Sequence, residues 1–238
     1  MNRAAGRRST TTRFALAAIV VACIACDTAV AQSRSLRGSI RGLSASVAIG
    51  YDRLSLDGPV EVEGRQYFGD DVTLSGGNVD IALSYGFGEY LAVFVEGSGS
   101  TVNAGRFDTG GAGHFDVGVR YYLPPEPALT RSYVFIARTG RALVIEDALV
   151  EDFGGPGTDA EDLEAVFGGA GLSWGVGLHN FIGPNLALDV RFLRTRGRFS
   201  NVKHEMTIDG ERLDTDVSID ERARTTRISV GLAWYIRR

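Results

Sequence analysis

The feature that most constrains this chain is a repeated alternation of large apolar residues with small or polar ones. In LSASVAIGY, residues 43–51, the odd positions carry Leu, Ala, Val, Ile and Tyr, whereas the even positions carry Ser, Ala and Gly. Because successive side chains of a strand point to opposite faces, a period of two predicts β-strands. Eight segments show the pattern: 43–51, 79–87, 91–98, 114–123, 133–144, 171–179, 186–193 and 227–236. The chain is therefore predicted to be all-β.

The side chains on the second face of these strands distinguish a membrane barrel from a water-soluble sheet. A soluble sheet presents charged and polar residues to water on that face. Here the face consists mainly of Gly, Ala and Ser, with a few charges. Small residues fit the confined interior of a narrow barrel, and an apolar face with Tyr and Trp near the strand ends fits lipid. The pattern therefore favours a closed barrel with its apolar face outward.

The connections between the segments are alternately short and long. The short ones cover residues 88–90, 124–132 and 180–185, and longer stretches separate the remaining neighbours. Periplasmic turns and longer external loops alternate in this way in barrels that are built from hairpins. We therefore predict an eight-stranded antiparallel up-and-down transmembrane β-barrel. Its even strand number places both ends of the barrel at the periplasmic rim.

With this pattern, residues 40–238 resemble the small eight-stranded outer-membrane barrels, the family that includes the transmembrane domain of outer-membrane protein A and its short relatives. The resemblance implies residence in the outer membrane and folding by the outer-membrane assembly machinery. Members of the family usually end on an aromatic residue, which that machinery reads. This chain differs, because it ends VGLAWYIRR, with Trp234 and Tyr235 inside the end. We expect no peptidoglycan-binding domain after the predicted barrel.

The first 31 residues have the three parts of a secretory signal peptide. A region with four arginines precedes an uncharged apolar run at residues 14–25, and Ala-Val-Ala at 29–31 fits a signal peptidase site. The predicted division is a signal peptide at 1–31 and a barrel domain at 32–238. As an alternative, Val20-Val21-Ala22-Cys23 resembles a lipoprotein site at which Cys23 becomes lipidated. Cleavage after residue 31 changes the net charge from −4 to −7, which disfavours nucleic-acid binding.

The strand faces place a balanced set of charges inside the predicted barrel. The acids are Asp80, Glu96, Asp116 and Asp189, and the bases are Arg120, Arg138, Arg191 and Arg227. Buried charges are costly unless they are paired, and an eight-stranded barrel has room for side chains but not for a wide channel. We therefore predict a lumen plugged by ion pairs. The alternative is a narrow small-solute channel that opens when ion pairs exchange partners.

The seventh segment continues into a run of alternating arginines, Arg194, Arg196 and Arg198. They share the parity of the predicted lipid-facing Phe192 and begin where the hydrocarbon region should end on the outer side. Guanidinium groups bind phosphates well, so contact with lipopolysaccharide is one interpretation. An ordinary rim of solvated charge is the other.

Asp209-Gly210 predicts a two-residue hairpin turn after this run. Such a turn pairs positions whose numbers sum to 419, so an even position faces an odd one. The predicted outward residues are nevertheless even on both flanking strands. A β-bulge or an odd-length loop must therefore lie between the turn and the barrel if the ribbon is continuous.

No arrangement of residues predicts catalysis, a cofactor or a metal site. A Ser-His-acid hydrolase needs a nucleophile and a base within hydrogen-bond reach. Of the three histidines, His114 has no same-face serine nearby on its segment, and Ser173 lies six residues from His179. His204 lies near the outer end beside Glu205, and its surroundings do not resemble the known deacylase pattern. We predict a monomeric, non-enzymatic barrel with a structural or surface-interaction role; the alternative is a lipid-modifying enzyme.

Overall fold

The computed structural model describes residues 39–58, 60–62, 65–68, 72–102, 110–124, 129–146, 160–208 and 211–236. They belong to one compact unit that extends from Gly38 to Arg238. The predicted signal peptide, its cleavage site and Cys23 lie outside the described residues. So do residues 147–159, in the acidic connection that follows the fifth predicted strand.

The described residues form ten β-strands. They are β1 (Gly42–Leu56), β2 (Val60–Val62), β3 (Arg65–Phe68), β4 (Thr73–Phe87), β5 (Leu91–Val102), β6 (Gly110–Tyr122), β7 (Thr130–Glu146), β8 (Ala160–Phe181), β9 (Leu186–Ile208) and β10 (Glu211–Ile236). The short strands β2 and β3 pair only with each other, in the connection between β1 and β4.

The other eight strands close into one antiparallel barrel in the order β1-β10-β9-β8-β7-β6-β5-β4. Closure is made by β1 and β10, whose pairing runs from Leu43 opposite Ile236 to Leu56 opposite Ala223. Because the ring is closed, it has no sheet edge with unpaired backbone groups, as a hydrocarbon environment requires. The predicted eight-stranded antiparallel barrel is confirmed.

The two rims of the barrel differ in how the strands are joined. At one rim, which we call the short-turn end, residues 88–90 join β4 to β5 and residues 182–185 join β8 to β9. Gly88 has a φ of 88°, a conformation that costs little only without a side chain. At the opposite rim, the long-loop end, β8, β9 and β10 extend to 22, 23 and 26 residues. These strands continue well past the predicted apolar segments.

The ribbon formed by β9 and β10 contains the irregularity that the parity argument requires. Ile208 pairs with Glu211, which fits a two-residue turn, and the same register continues to Asn201 opposite Ser218. The register then shifts between Ser218 and Glu221, which pairs with Phe199. The predicted bulge is thus confirmed. Between the bulge and the short-turn end, the outward residues of both strands have even numbers.

Two apolar clusters fill the barrel interior, one near each rim. The short-turn cluster consists of Ile40, Ala92, Phe94, Tyr122, Tyr133, Phe135, Ala137, Phe181, Ala187, Leu193, Ala233 and Tyr235. The long-loop cluster consists of Leu54, Leu56, Leu74, Val102, Ala112, Leu143, Ile145, Ala165, Phe167, Phe199, Val202 and Ala223. Along β5 the inward residues run from Phe94 in the first cluster, past Glu96, to Val102 in the second. Charged side chains therefore occupy the middle of the lumen.

Candidate functional site

The barrel exposes large apolar side chains on its outer surface and buries charged side chains inside, which is the reverse of a soluble protein. Ile49 and Trp234 are 67% and 63% exposed on the outer surface, whereas Asp80 and Arg227 inside the barrel are each 1% exposed. A soluble protein seldom exposes contiguous apolar surface of this extent. The arrangement instead fits a lipid-facing band around an interior that holds the charged side chains.

Arg227 on β10 is the centre of the lumenal charges. Its Nε lies 3.2 Å from Oδ1 of Asp52, and its Nη1 lies 3.4 Å from Oδ1 of Asp80 and 3.2 Å from Oε1 of Glu96. Its Nη2 lies 3.9 Å from Oδ2 of Asp116. One guanidinium therefore bridges acids from four different strands, β1, β4, β5 and β6.

Two further arginines extend these ion pairs toward the short-turn end. Arg191 contacts Asp80 at 3.2 Å and Asp189 at 3.2 Å, and it also pairs with Glu96. Arg120 lies 3.5 Å from the same Glu96 carboxylate. All of these side chains are at most 6% exposed. We call the joined set the lumenal network; it consists of Asp52, Asp80, Glu96, Asp116, Arg120, Asp189, Arg191 and Arg227.

A histidine connects the lumenal network to the short-turn cluster. Nε2 of His179 lies 3.1 Å from Oδ1 of Asp189, and the hydroxyl of Tyr235 lies 2.6 Å from its Nδ1. The hydroxyl of Tyr133 donates to the same Asp189 oxygen at 2.6 Å. Tyr133 and His179 thus supply polar contacts to Asp189, and Tyr235 supplies one to His179. The rings of these three residues also pack against the aromatic residues of the short-turn end.

The outer surface at the long-loop end carries a second group of arginines. Arg194, Arg196 and Arg198 project outward from β9, and Arg222 and Arg224 project outward from the facing part of β10. Arg196 and Arg198 are exposed, whereas Arg194 is half-buried. The predicted run on β9 therefore belongs to a larger basic surface.

The part of the chain that the structure describes has neither a metal-binding cluster nor a membrane-spanning helix. Its His, Cys, Asp and Glu side chains form no group of three that could hold a metal ion. Its secondary structure also includes no helix with the length and apolar character needed to cross a membrane.

No protein-family model and no curated protein matches this chain, but solved structures do. Neisserial surface protein A is 13% identical, with a TM-score of 0.51, over 82% of this chain and 97% of that one. Outer membrane protein OprG from Pseudomonas aeruginosa is 12% identical, with a TM-score of 0.47, over 85% and 100%. Outer membrane protein AlkL is 14% identical, with a TM-score of 0.48, over 84% and 93%.

This chain has the fold of the small outer-membrane β-barrels. The likeness to Neisserial surface protein A covers nearly all of that protein. At this level of identity it establishes the architecture, and the predicted resemblance in fold is confirmed.

Within this outer-membrane barrel fold, the structure places seven of the eight predicted lumenal charges together and one elsewhere. The seven are Asp80, Glu96, Asp116, Arg120, Asp189, Arg191 and Arg227. The prediction for Arg138 was wrong: its side chain is exposed on the outer wall, and Thr139 beside it is buried. The error came from assigning the inward parity of β7 from Arg138 itself, although Tyr133 and Phe135 are the residues that point inward.

Two lumenal residues were missed by the sequence analysis. Asp52 follows the predicted end of the first strand by one residue, yet β1 continues to Leu56 and turns it inward. Arg141 has the true inward parity of β7; it donates to the carbonyl of Ala223 at 2.9 Å and to the hydroxyl of Thr225 at 2.6 Å. A longer first strand and the aromatic parity of β7 were the signals that could have identified both.

Proposed function

We propose that this protein is an integral outer-membrane barrel with a structural and surface-interaction role, exported by a cleaved signal peptide and acting as a monomer. The observation that supports this most is the closed interior, in which the lumenal network lies between two apolar clusters. Its outer wall suits lipid, and its long strands at one rim suit contact with the environment. The short-turn end would face the periplasm.

The lumenal network supports a structural role because each of its charged side chains lies within 4.0 Å of an oppositely charged one. Removing two charges from water costs several kcal/mol per ion, and only good geometry with further hydrogen bonds offsets this cost. Arg227 and Arg191 together contact five acids on five strands. Arg227 on β10 and Arg191 on β9 both contact Asp80 on β4 and Glu96 on β5, which are not neighbours of β9 or β10 in the ring, so the network braces the barrel across its interior.

The two apolar clusters support the absence of an open channel. Phe94 and Tyr235 lie in the cluster on the short-turn side, and Phe167 and Phe199 lie in the cluster on the long-loop side; all four are at most 4% exposed. A permeating ion would have to pass both apolar layers as well as the paired charges. Recording in planar bilayers should therefore show no reproducible conductance steps, and a regular unitary conductance would overturn this part of the proposal.

Location and insertion are tested together. The mature protein should fractionate with the outer membrane and migrate differently on gels before and after boiling, because a folded barrel resists unfolding by detergent at room temperature. If the purified mature chain instead remained folded and soluble in buffer without detergent, the proposed membrane location would be wrong.

The proposal includes no catalytic activity. The buried hydroxyl of Ser173 donates to Asp116 at 3.1 Å and lies 2.7 Å from the hydroxyl of Thr195, and His179 is held by tyrosines and Asp189. Ser173 and His179 therefore contact different acids of the lumenal network, Asp116 and Asp189, and are not hydrogen-bonded to each other. Mass spectrometry of lipid A should give the same species with and without overexpression, and a new acylation state would favour a lipid-modifying enzyme.

A further inference from the structure

Four arginines on the outer wall form two cross-strand pairs of like charge. Arg196 on β9 lies directly opposite Arg224 on β10, and Arg198 lies opposite Arg222. Like charges placed directly opposite one another destabilise a sheet. We call these four residues the arginine block. Its arrangement opposes strand pairing, so the fold alone does not account for it.

Two acids neutralise only half of the arginine block. Asp220 lies 2.6 Å from Arg198, and Asp57 lies 2.7 Å from Arg224. These two arginines occupy opposite corners of the block. Among the described residues, no carboxylate lies within ion-pair distance of Arg196 or Arg222, which occupy the other two corners.

A shallow cavity of about 400 Å³ lies within the block. Asp57, Gly197 and Ala223 complete its lining; Gly197 has no side chain, and the side chain of Ala223 is buried on the inner face of β10. Guanidinium groups thus surround a space that is open to the outside. The lining holds four guanidinium groups and one carboxylate, that of Asp57, so its net charge is positive and an anion is the complementary occupant.

The position of the cavity along the barrel axis, relative to the apolar band, indicates which kind of anion can reach it. Arg196 pairs with lipid-facing Leu172, which is 49% exposed. It follows Phe192 by four residues on β9, which is about 13 Å along a strand. On β10, Arg224 precedes the exposed Ile228 by the same number of residues. The block therefore lies just beyond the apolar band on the long-loop side, at the level of lipid headgroups.

We propose that the arginine block binds a phosphate of a phosphorylated glycolipid in the outer leaflet, which is the chemistry of lipopolysaccharide. Arg196 and Arg222 supply the unpaired guanidinium groups, and Arg198 and Arg224 contribute while they remain paired with acids. This inference rests on the proposed outer-membrane location. It moves the centre of the predicted contact from the β9 run alone to the seam between β9 and β10.

The test compares two double variants of the refolded, detergent-solubilised mature protein. Arg196→Ser with Arg222→Ser removes the two unpaired guanidinium groups of the block. The matched control, Arg41→Ser with Arg138→Ser, removes the same charge from exposed positions outside it. Heat-modifiable migration establishes that each variant is folded. Binding is measured by titration with purified lipopolysaccharide, with dephosphorylated lipopolysaccharide and with inorganic phosphate.

The proposal requires a loss of at least ten-fold in lipopolysaccharide affinity for the block variant and a change of less than about two-fold for the control. Dephosphorylated lipopolysaccharide should bind the wild type as weakly as the phosphorylated form binds the block variant. An equal loss in both variants would indicate nonspecific attraction, and inorganic phosphate binding as tightly as the lipid would indicate a free-anion site. Either result, or no loss at all, would overturn the proposal.

Fractionation separates failure of this site from failure of the proposed location. If the wild type is in the outer membrane but the block variant binds lipopolysaccharide normally, only the phosphate site is refuted. If the wild type is absent from the outer membrane, the proposed location is refuted whatever the titrations show.

Discussion

The arginines of the lumen and those of the arginine block are the same residue type in opposite circumstances. Arg227 is 1% exposed and lies within 4.0 Å of four acids. Arg196 and Arg222 are exposed, and each lies opposite another arginine. Inside the barrel the chain supplies the counter-charges itself, because these side chains are buried from bulk solvent. On the outer wall, Arg196 and Arg222 have no counter-charge among the described residues.

This difference separates what the fold needs from what the surroundings supply. A buried arginine without acids would cost several kcal/mol, so each lumenal arginine needs acidic partners from within the chain. An exposed like-charge pair costs far less, because water and salt screen it. Such a pair is therefore tolerable without a ligand and becomes favourable with one.

The largest expected effect on stability follows from removal of Arg227, the centre of the lumenal network. Arg227→Ala leaves Asp52, Asp80, Glu96 and Asp116 without their shared cation, and removal of one partner from a buried ion pair typically costs about 3–5 kcal/mol. We expect the free energy of unfolding to fall by about that much. Urea unfolding in phospholipid vesicles, followed by the fluorescence of the lipid-facing Trp174 and Trp234, measures it.

The matched control for this variant is Arg53→Ala, an exposed arginine on the outer side of β1. It should change stability by less than about 0.5 kcal/mol, as a surface substitution does. If Arg227→Ala unfolded at the same urea concentration as the wild type, the network would not brace the barrel.

A pair of glycine substitutions sharpens the contrast between inside and outside at a smaller scale. A Cβ added at the inward-facing Gly231 would overlap the backbone of Val47 and Ala48, whereas one at the outward-facing Gly99 meets no atom within 4 Å. Gly231→Ala should destabilise the barrel by about 1–3 kcal/mol, the usual cost of overpacking. Gly99→Ala should be neutral or stabilising by up to about 1 kcal/mol. The same urea titration compares them, and equal effects would contradict the assigned faces.

The sequence predicted the barrel well because the membrane imposes a simple rule on each strand. Where large apolar residues alternate with small ones, as at Leu43 to Tyr51, the face of every residue follows from its position. Beyond the apolar band the rule ends, since the outward face of a strand then meets water and no longer needs large apolar residues. Strands such as β9, which continues to Ile208, therefore extend past their predicted ends.

The candidate sites were less predictable because they depend on register and on packing in three dimensions. Arg138 was assigned inward on the assumption that a membrane excludes charge, but hydrogen bonding with β6 and β8 fixes Thr139 inward instead. The opposition of Arg196 and Arg224 requires the register of β9 and β10, which a bulge sets. The aromatic residues at the ends of the lumen come from many strands and share no local pattern.

The outward Arg138 provides the third prediction. It pairs with Val117 and Leu172, both of which are lipid-facing. A lipid-facing arginine costs about 2–4 kcal/mol at the bilayer midplane and about 0–1 kcal/mol near an interface. Arg138→Leu should therefore stabilise the barrel in vesicles by about 1–2 kcal/mol. Unchanged stability would place the guanidinium among the headgroups, and a loss would mean that Arg138 has a favourable partner.

The smallest expected effect on stability concerns the two acids of the arginine block. Asp220→Asn and Asp57→Asn each break one exposed ion pair, and such pairs contribute about 0–1 kcal/mol. Each variant releases a guanidinium group into the cavity, so we expect a several-fold gain in affinity for lipopolysaccharide with little change in unfolding. Glu89→Gln is the matched control, because it breaks the exposed pair with Arg41 at the short-turn end. A gain in binding for Glu89→Gln as well would show that net charge alone controls the attraction. A gain confined to the two aspartate variants would not follow from a purely structural role for these acids, because a structural role predicts lower stability and no tighter binding.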